Sequence, residues 1–152
     1  MQITIERLLD RIGKNIITLL QKNARITFSD LGRKVGLSTP AVTERVRKLE
    51  EAGVIVGYHA AVDPAKVGLP VTAFIHVTAP PQNYSRIKTV ISGLEAIHEC
   101  HHISGEESFI LKAVVPSVSH LESLVDELSP YGRTKTAIVL STHAKRTGIS
   151  LR

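Results

Sequence analysis

The sequence predicts an α+β protein with a helical N-terminal third and a larger part that contains a β-sheet. Two observations lead to this prediction. Apolar residues recur at helical spacing before Gly53, and after it the order strand–helix–strand occurs twice. The chain has 152 residues, which is long enough for two small domains. We place them at residues 1–57 and 70–152, joined by a connecting strand or linker at 58–69.

The composition is that of an ordinary folded protein. Hydrophobic residues make up 43% of the chain and charged residues 22%. No apolar run reaches the roughly 18 residues of a membrane span, and the acidic Glu6 and Asp10 argue against a secretory signal. Cys100 is the only cysteine in the sequence, so no internal disulfide can form. A reducing cytoplasm is therefore the expected location.

The charge distribution indicates which part of the chain binds a polyanion. Residues 1–57 contain 10 Lys and Arg against 6 Asp and Glu, whereas residues 58–152 contain 9 against 8. Most of the net charge of +5 therefore lies in the first third of the chain. Aromatic residues make up only 4%, which leaves no stacking platform for single strands. Double-stranded DNA is the favoured partner.

Three helices are predicted in the first third. The first begins after an N-cap at Asp10, and the second covers Ser29–Val35 and ends at Gly36. The third runs over Thr39–Ala52 and ends at Gly53. A tight turn between the second and third helices predicts a helix-turn-helix, whose third helix enters the DNA major groove.

The third helix has a face suited to contact DNA. Val42, Val46 and Leu49 form its buried stripe, and a rotation of 100° per residue places polar side chains opposite. Base-edge and phosphate contacts are predicted for this face and for nearby basic residues. The predicted DNA-contacting residues are Ser38, Thr39, Pro40, Thr43, Glu44, Arg47 and Lys48, with Arg25, Arg33 and Lys34 beside them.

Two charged residues of this helix have alternative interpretations. Glu44 can accept a hydrogen bond from cytosine, or it can restrain Arg47 or Lys48. Arg45 lies at the edge of the buried stripe, where a structural ion pair is favoured over a base contact.

The remainder of the chain predicts a split βαβ sandwich. Helical stripes at 84–94 and 118–128 separate strand-like segments at 71–79, 97–104, 109–115 and 134–143. The first strand is not polar on its second face, where Thr72, Phe74, His76 and Thr78 alternate with apolar residues. A sheet of this kind needs a second cover, and another copy of the domain is the simplest one.

Several blocks of the sequence resemble the Lrp/AsnC family of transcription regulators. They are Arg25-Ile26, the run Leu31 to Ser38, the run Val42 to Glu50, and Gly53 to Tyr58; Glu99-Cys100-His101 with Ser104-Gly105 resembles the hairpin of that family. The resemblance covers essentially the whole chain. It implies an N-terminal winged helix-turn-helix followed by a ferredoxin-like βαββαβ sandwich. It also implies a homodimer that assembles to a higher oligomer, often an octamer.

The resemblance further implies an amino-acid effector bound between dimers, near the hairpin loop and the last strand. The residues expected to bind it are Ser104, Gly105, Glu106, Glu107, Ser108, Thr134 and Thr136. The family commonly has an aspartate where this chain has Ser108, so Glu106 or Glu107 would have to supply the acid. Gly13 also replaces an acid that is common near the start of the first helix.

Other function classes have less support in the sequence. His98, Cys100, His101 and His102 cluster in one strand, with His76 expected on a neighbouring strand, but packed side chains are favoured over a metal site. No motif of a known catalytic class is present, so neither an enzyme nor a cofactor is expected. The leading hypothesis is a sequence-preferring, effector-modulated DNA-binding regulator associated with the nucleoid. The alternative is an architectural DNA-wrapping protein without an effector.

Overall fold

The computed structural model describes residues 5–145 and 148–151. The described chain divides into two compact units. The first comprises residues 5–61 together with 144, 145 and 148–151, and the second is Val62–His143. Within the described residues, no helix combines the length and apolar character that a membrane crossing requires.

The first unit is built from four helices. They are α1 (Ile5–Leu8), α2 (Arg11–Lys22), α3 (Phe28–Val35) and α4 (Thr39–Glu51). Asp10 caps α2 as predicted, because its side chain accepts a hydrogen bond from the backbone N–H of Gly13. Gly36 ends α3 in the left-handed conformation with φ 74°, which permits the tight turn into α4.

One apolar core holds these helices together. Its buried side chains are Leu8, Ile16, Ile17, Leu20, Leu31, Val42, Val46 and Leu49. The predicted inward stripe of α4 is thus confirmed. Gly13 lies against the preceding chain so closely that a Cβ atom there would be 1.8 Å from the Leu8 carbonyl oxygen. A glycine at this position is therefore required by packing.

The C-terminal segment packs on the first unit, although we expected it to belong to the sheet domain. The amide of Gln21 donates from Nε2 to the Ile149 carbonyl at 3.2 Å and accepts from the Ile149 N–H at 2.5 Å. Leu151 packs against the helical core. After the last strand, the chain therefore returns to the first unit.

The second unit is a four-stranded antiparallel sheet with two helices. In chain order its elements are β1 (Val71–Thr78), α5 (Tyr84–Ser92), β2 (Ile97–His102), β3 (Phe109–Val115), α6 (Val118–Leu128) and β4 (Arg133–Ile138). The strand order is β2-β3-β1-β4, which confirms the ferredoxin-like arrangement. The helix-covered core centres on Ile75, Val77, Phe109 and Leu111 with Ile87 of α5.

The sheet face away from this core is mixed in character. Phe74 is 37% exposed and Val114 is buried, while Lys112 pairs with Glu99 at 2.5 Å on the same face. His76 lies beside Lys135 in the β1–β4 register. The second face is thus partly apolar, as expected, but it also carries paired charges.

The connecting segment, predicted as a strand or a linker, forms no strand, and the last strand is shorter than predicted. Residues 56–62 follow α4 without forming a strand, and no described backbone hydrogen bond pairs them with another segment. A strand needs a partner for its N–H and C=O groups, and one chain supplies none here. The last strand ends at Ile138 rather than at residue 143. Its register with β1 ends there, at Ala73, and one further hydrogen bond runs from the Val139 N–H to the Thr72 carbonyl.

Candidate functional site

The exposed face of α4 is the first candidate site. Six of its predicted contact residues are exposed, and Lys48 is half-buried; the six are Ser38, Thr39, Pro40, Thr43, Glu44 and Arg47. They lie opposite the buried side chains of Val42, Val46 and Leu49. The helix therefore presents one continuous polar surface that begins at its N-terminal end.

The charges on this face are paired with each other. Arg47 donates from Nε and Nη2 to the two carboxylate oxygens of Glu44, at 2.8 and 2.7 Å. Arg47 also bonds Glu51, and the Lys48 ammonium lies 3.3 Å from Glu44. The hydrogen bond from Arg47 lowers the pKa of Glu44 to about 2, so this carboxylate is charged at neutral pH. Of the two interpretations of Glu44, the geometry favours restraint of its cationic neighbours.

Arg45 has a structural partner, as predicted. Its guanidinium makes two hydrogen bonds to the Asp10 carboxylate, at 2.6 and 2.7 Å. The hydrogen bond from Arg45 lowers the pKa of Asp10 to about 2, with help from the Gly13 N–H. This pair ties α4 to the start of α2 and leaves Arg45 out of the exposed face.

The three basic residues expected beside α4 differ in their pairing. Arg33 bonds Asp30 within α3. Arg25 and Lys34 are exposed, and neither has an ion-pair partner among the described residues. These two cations are the ones most readily available to a phosphate backbone.

The hairpin between β2 and β3 is the second candidate site. Ser104, Gly105 and Glu106 are exposed, but Ser108 is buried. The Ser108 hydroxyl donates to the Ala79 carbonyl and accepts from the Ala79 N–H, both at 3.1 Å, and the Tyr84 hydroxyl donates to it at 3.2 Å. Ser108 therefore holds the hairpin to the end of β1 and does not face solvent.

Glu107 and the two threonines lie on opposite faces of the sheet. The Glu107 carboxylate is 3.8 Å from Nδ1 of His76, a buried nitrogen without a hydrogen-bond partner. Thr134 and Thr136 pair with Val77 and Ile75, whose side chains face the helices. Within one protomer, the structure brings Glu107 to His76 but does not bring it to the threonines.

Sequence reasoning missed two neighbours of the hairpin, Tyr84 and His76. Tyr84 packs edge-on against Phe109 and His102, with ring centroids 5.1 and 5.0 Å apart. The aromatic residue at the start of the α5 stripe was the available signal. The expectation that His76 adjoins the His/Cys strand is wrong, because β3 lies between β1 and β2. The described residues contain no cluster of three or more metal-ligating side chains.

Known proteins share both units. The model for winged helix-turn-helix DNA-binding matches residues 9–56, and that for the Lrp/AsnC ligand binding domain matches residues 72–149. LrpC, an HTH-type transcriptional regulator of Bacillus subtilis (strain 168), is 41% identical over 133 residues, covering 88% of this chain and 92% of that protein. The leucine-responsive regulatory protein of Escherichia coli (strain K12) is 37% identical over 139 residues, covering 87% and 85%.

A solved structure gives the same result. The feast or famine regulatory protein of M. tuberculosis, complexed with L-methionine, has a TM-score of 0.87 and 33% identity, covering 93% of this chain and 98% of that one. Fold and site thus define a DNA-binding transcriptional regulator with an attached ligand-binding domain. The chain belongs to the Lrp/AsnC family. The fold class and the family expected from the sequence are confirmed.

Proposed function

We propose that the protein recognises preferred sequences of double-stranded DNA through the exposed face of α4. The observation that carries this proposal is the polar surface opposite the buried stripe of that helix. In this proposal, Thr43 and Arg47 contact base edges, and Lys48 contacts a phosphate. Arg25, Arg33 and Lys34 supply further phosphate contacts. The protein acts on chromosomal DNA in the cytoplasm.

The test is DNA binding by Arg47→Ala and Lys48→Ala. Both side chains lie off the buried stripe, so the variants should fold as the wild type does. We expect each to weaken binding, and loss of a phosphate contact at Lys48 to flatten the salt slope by about 1 for each protomer bound. Fluorescence anisotropy over a salt series measures both quantities.

Arg86→Ala provides the matched control for this test. Arg86 is an exposed residue of α5 in the second unit, and its removal changes the net charge by the same amount. Its affinity and salt slope should match those of the wild type. Wild-type affinity and slope in both α4 variants would place the DNA-binding surface elsewhere.

We further propose that a homodimer assembles to a higher oligomer, an octamer in the family pattern, and that an amino acid binds between subunits. The partly apolar second face of the sheet supports the dimer. Glu107 and the two threonines lie on opposite faces of the sheet. This arrangement supports a site formed by the hairpin of one protomer, at Gly105 to Glu107, and by β4 of another protomer. L-methionine is the first amino acid to test, because the M. tuberculosis relative binds it.

Isothermal titration calorimetry distinguishes this proposal from an architectural protein without an effector. An amino acid that binds at millimolar concentration or below should lose affinity in both Glu107→Ala and Thr136→Ala if the two residues share an intersubunit site. The buried, fully used hydroxyl of Ser108 favours the architectural alternative, because no acid occupies that position. If none of the twenty amino acids binds the wild type at millimolar concentration, the result would favour that alternative.

A further inference from the structure

Glu44 is an acidic residue in the part of α4 that meets the DNA. It lies in the N-terminal half of the helix, on the face opposite Val42 and Val46. A carboxylate in this position repels the phosphate backbone unless something compensates it. In the free protein the compensation comes from Arg47 and Lys48, which occupy both of its oxygens.

The pairing makes the centre of this surface electrically neutral. Glu44 and Glu51 carry two negative charges, and Arg47 and Lys48 carry two positive charges. The flanking cations Arg25 and Lys34 have no such partners among the described residues. Long-range attraction to DNA therefore comes from the flanks, whereas the centre of α4 adds little of it.

Contact with DNA requires an exchange of partners. When a phosphate takes Arg47 or Lys48, one charge-assisted hydrogen bond replaces another, and the Glu44 carboxylate remains close to the DNA with one cation fewer beside it. This exchange is unfavourable on every sequence. It is offset only where a base edge donates a hydrogen bond to Glu44, and in the major groove the amino group of cytosine is such a donor.

We propose that Glu44 is a specificity-determining residue. On non-preferred DNA its carboxylate keeps its ion pairs with Arg47 and Lys48, and it releases these two cations to the DNA where cytosine donates a hydrogen bond to it. The residue then acts chiefly by weakening binding to wrong sequences. This inference rests on the proposed role of α4 in DNA binding.

The test compares Glu44→Gln with Glu51→Gln on two duplexes. One duplex is the sequence that the wild type enriches from a randomised pool, and the other is a shuffled sequence of equal composition. Both variants remove one negative charge that bonds Arg47. Glu51, however, lies at the C-terminal end of α4, away from the end that enters the groove.

For Glu44→Gln we expect affinity for the shuffled duplex to rise by about threefold or more, with a steeper salt slope. The ratio of the two affinities should fall about fivefold, because the neutral carbonyl oxygen of Gln accepts from cytosine more weakly than the carboxylate does. Glu51→Gln should raise both affinities by similar factors and keep their ratio. Circular dichroism of both variants should match the wild type.

Several outcomes would overturn the inference. The first is that Glu44→Gln keeps the wild-type ratio of affinities for the enriched and shuffled duplexes. The second is that this ratio falls equally in Glu44→Gln and Glu51→Gln. The third is that the wild type enriches no sequence from the randomised pool. Failure of the underlying proposal looks different, since Arg47→Ala would then bind both duplexes as tightly as the wild type does. If Arg47→Ala weakens binding but Glu44→Gln keeps the ratio, α4 binds DNA and only the role of Glu44 is wrong.

Discussion

The two units of the molecule use their polar side chains in different ways. Among the described residues, five of the six ion pairs made by Lys or Arg lie in the first unit, and four of these five involve only residues of a single helix. In the second unit, the polar side chain of Ser108 is buried and bonds backbone groups and a tyrosine. One unit keeps its polar groups on the surface, and the other uses a polar group to hold its fold.

This difference determines what each surface can do. The ion pairs of α4 are exposed and can exchange one anionic partner for another, which suits contact with a nucleic acid. The hydrogen bonds of Ser108 cannot be exchanged without leaving Ala79 unpaired inside the protein. Substitutions in the two units should therefore have separate and unequal consequences, as the next three experiments test.

The largest effect is expected for Gly13→Ala. A Cβ atom at this position would lie 1.8 Å from the Leu8 carbonyl oxygen, so the backbone between α1 and α2 must move. We expect a loss of about 2 to 3 kcal/mol in the free energy of unfolding. Hydrogen exchange read by mass spectrometry should show faster exchange in α1, α2 and α4.

Gly93→Ala is the control for this substitution. Its Cβ atom would meet only the Val90 carbonyl oxygen, at 3.5 Å, which is an ordinary contact. If Gly13→Ala accelerates exchange in β1 and β3 as much as in the helices, the two units do not respond separately and the comparison fails.

A smaller loss is expected for Ser108→Ala. The substitution leaves the N–H and C=O of Ala79 and the hydroxyl of Tyr84 without this partner. The expected cost is about 1 to 2 kcal/mol, observed in urea unfolding, with faster exchange confined to the second unit. Ser123→Ala is the control, since Ser123 is exposed on α6 and bonds only a carbonyl of its own helix. Equal stability of the two variants would show that Ser108 is not a structural residue.

The smallest effect concerns Asp10 and pH. Its pKa is lowered from 3.8 to about 2, chiefly by the hydrogen bond from Arg45, so the ionised form stabilises the folded state. This stabilisation is present above pH 3.8 and is lost as the pH falls toward 2. Asp10→Asn should therefore cost about 0.5 to 1 kcal/mol at pH 6 and progressively less as the pH falls through that range.

Asp126→Asn supplies the reference for the Asp10 experiment. Asp126 is exposed on α6 and has no ion-pair partner among the described residues. Unfolding of both variants is followed between pH 6 and pH 2. If the free energies of unfolding of the wild type and Asp10→Asn differ by a constant amount over this range, the ion pair between Asp10 and Arg45 does not stabilise the fold.

The helical unit could be predicted well because its information is local. The period of α4 identified both its buried stripe and its exposed face, and the position of Arg45 at the stripe edge predicted an ion pair. The sheet unit depends on contacts between distant residues. Ser108 bonds Ala79 across 29 positions, and no periodicity in the sequence specifies that register. The hairpin was therefore placed correctly in the chain while the environment of its serine was not predicted.

The link between Gln21 and Ile149 joins positions 128 residues apart, and Leu151 adds to a core otherwise made by the first third of the chain. In topological terms, the sheet is an insertion within the DNA-binding unit. A fragment that stops at Ala61 lacks one apolar contact of its own core. A purification tag fused after Arg152 would begin one residue beyond Leu151, whose side chain packs in that core.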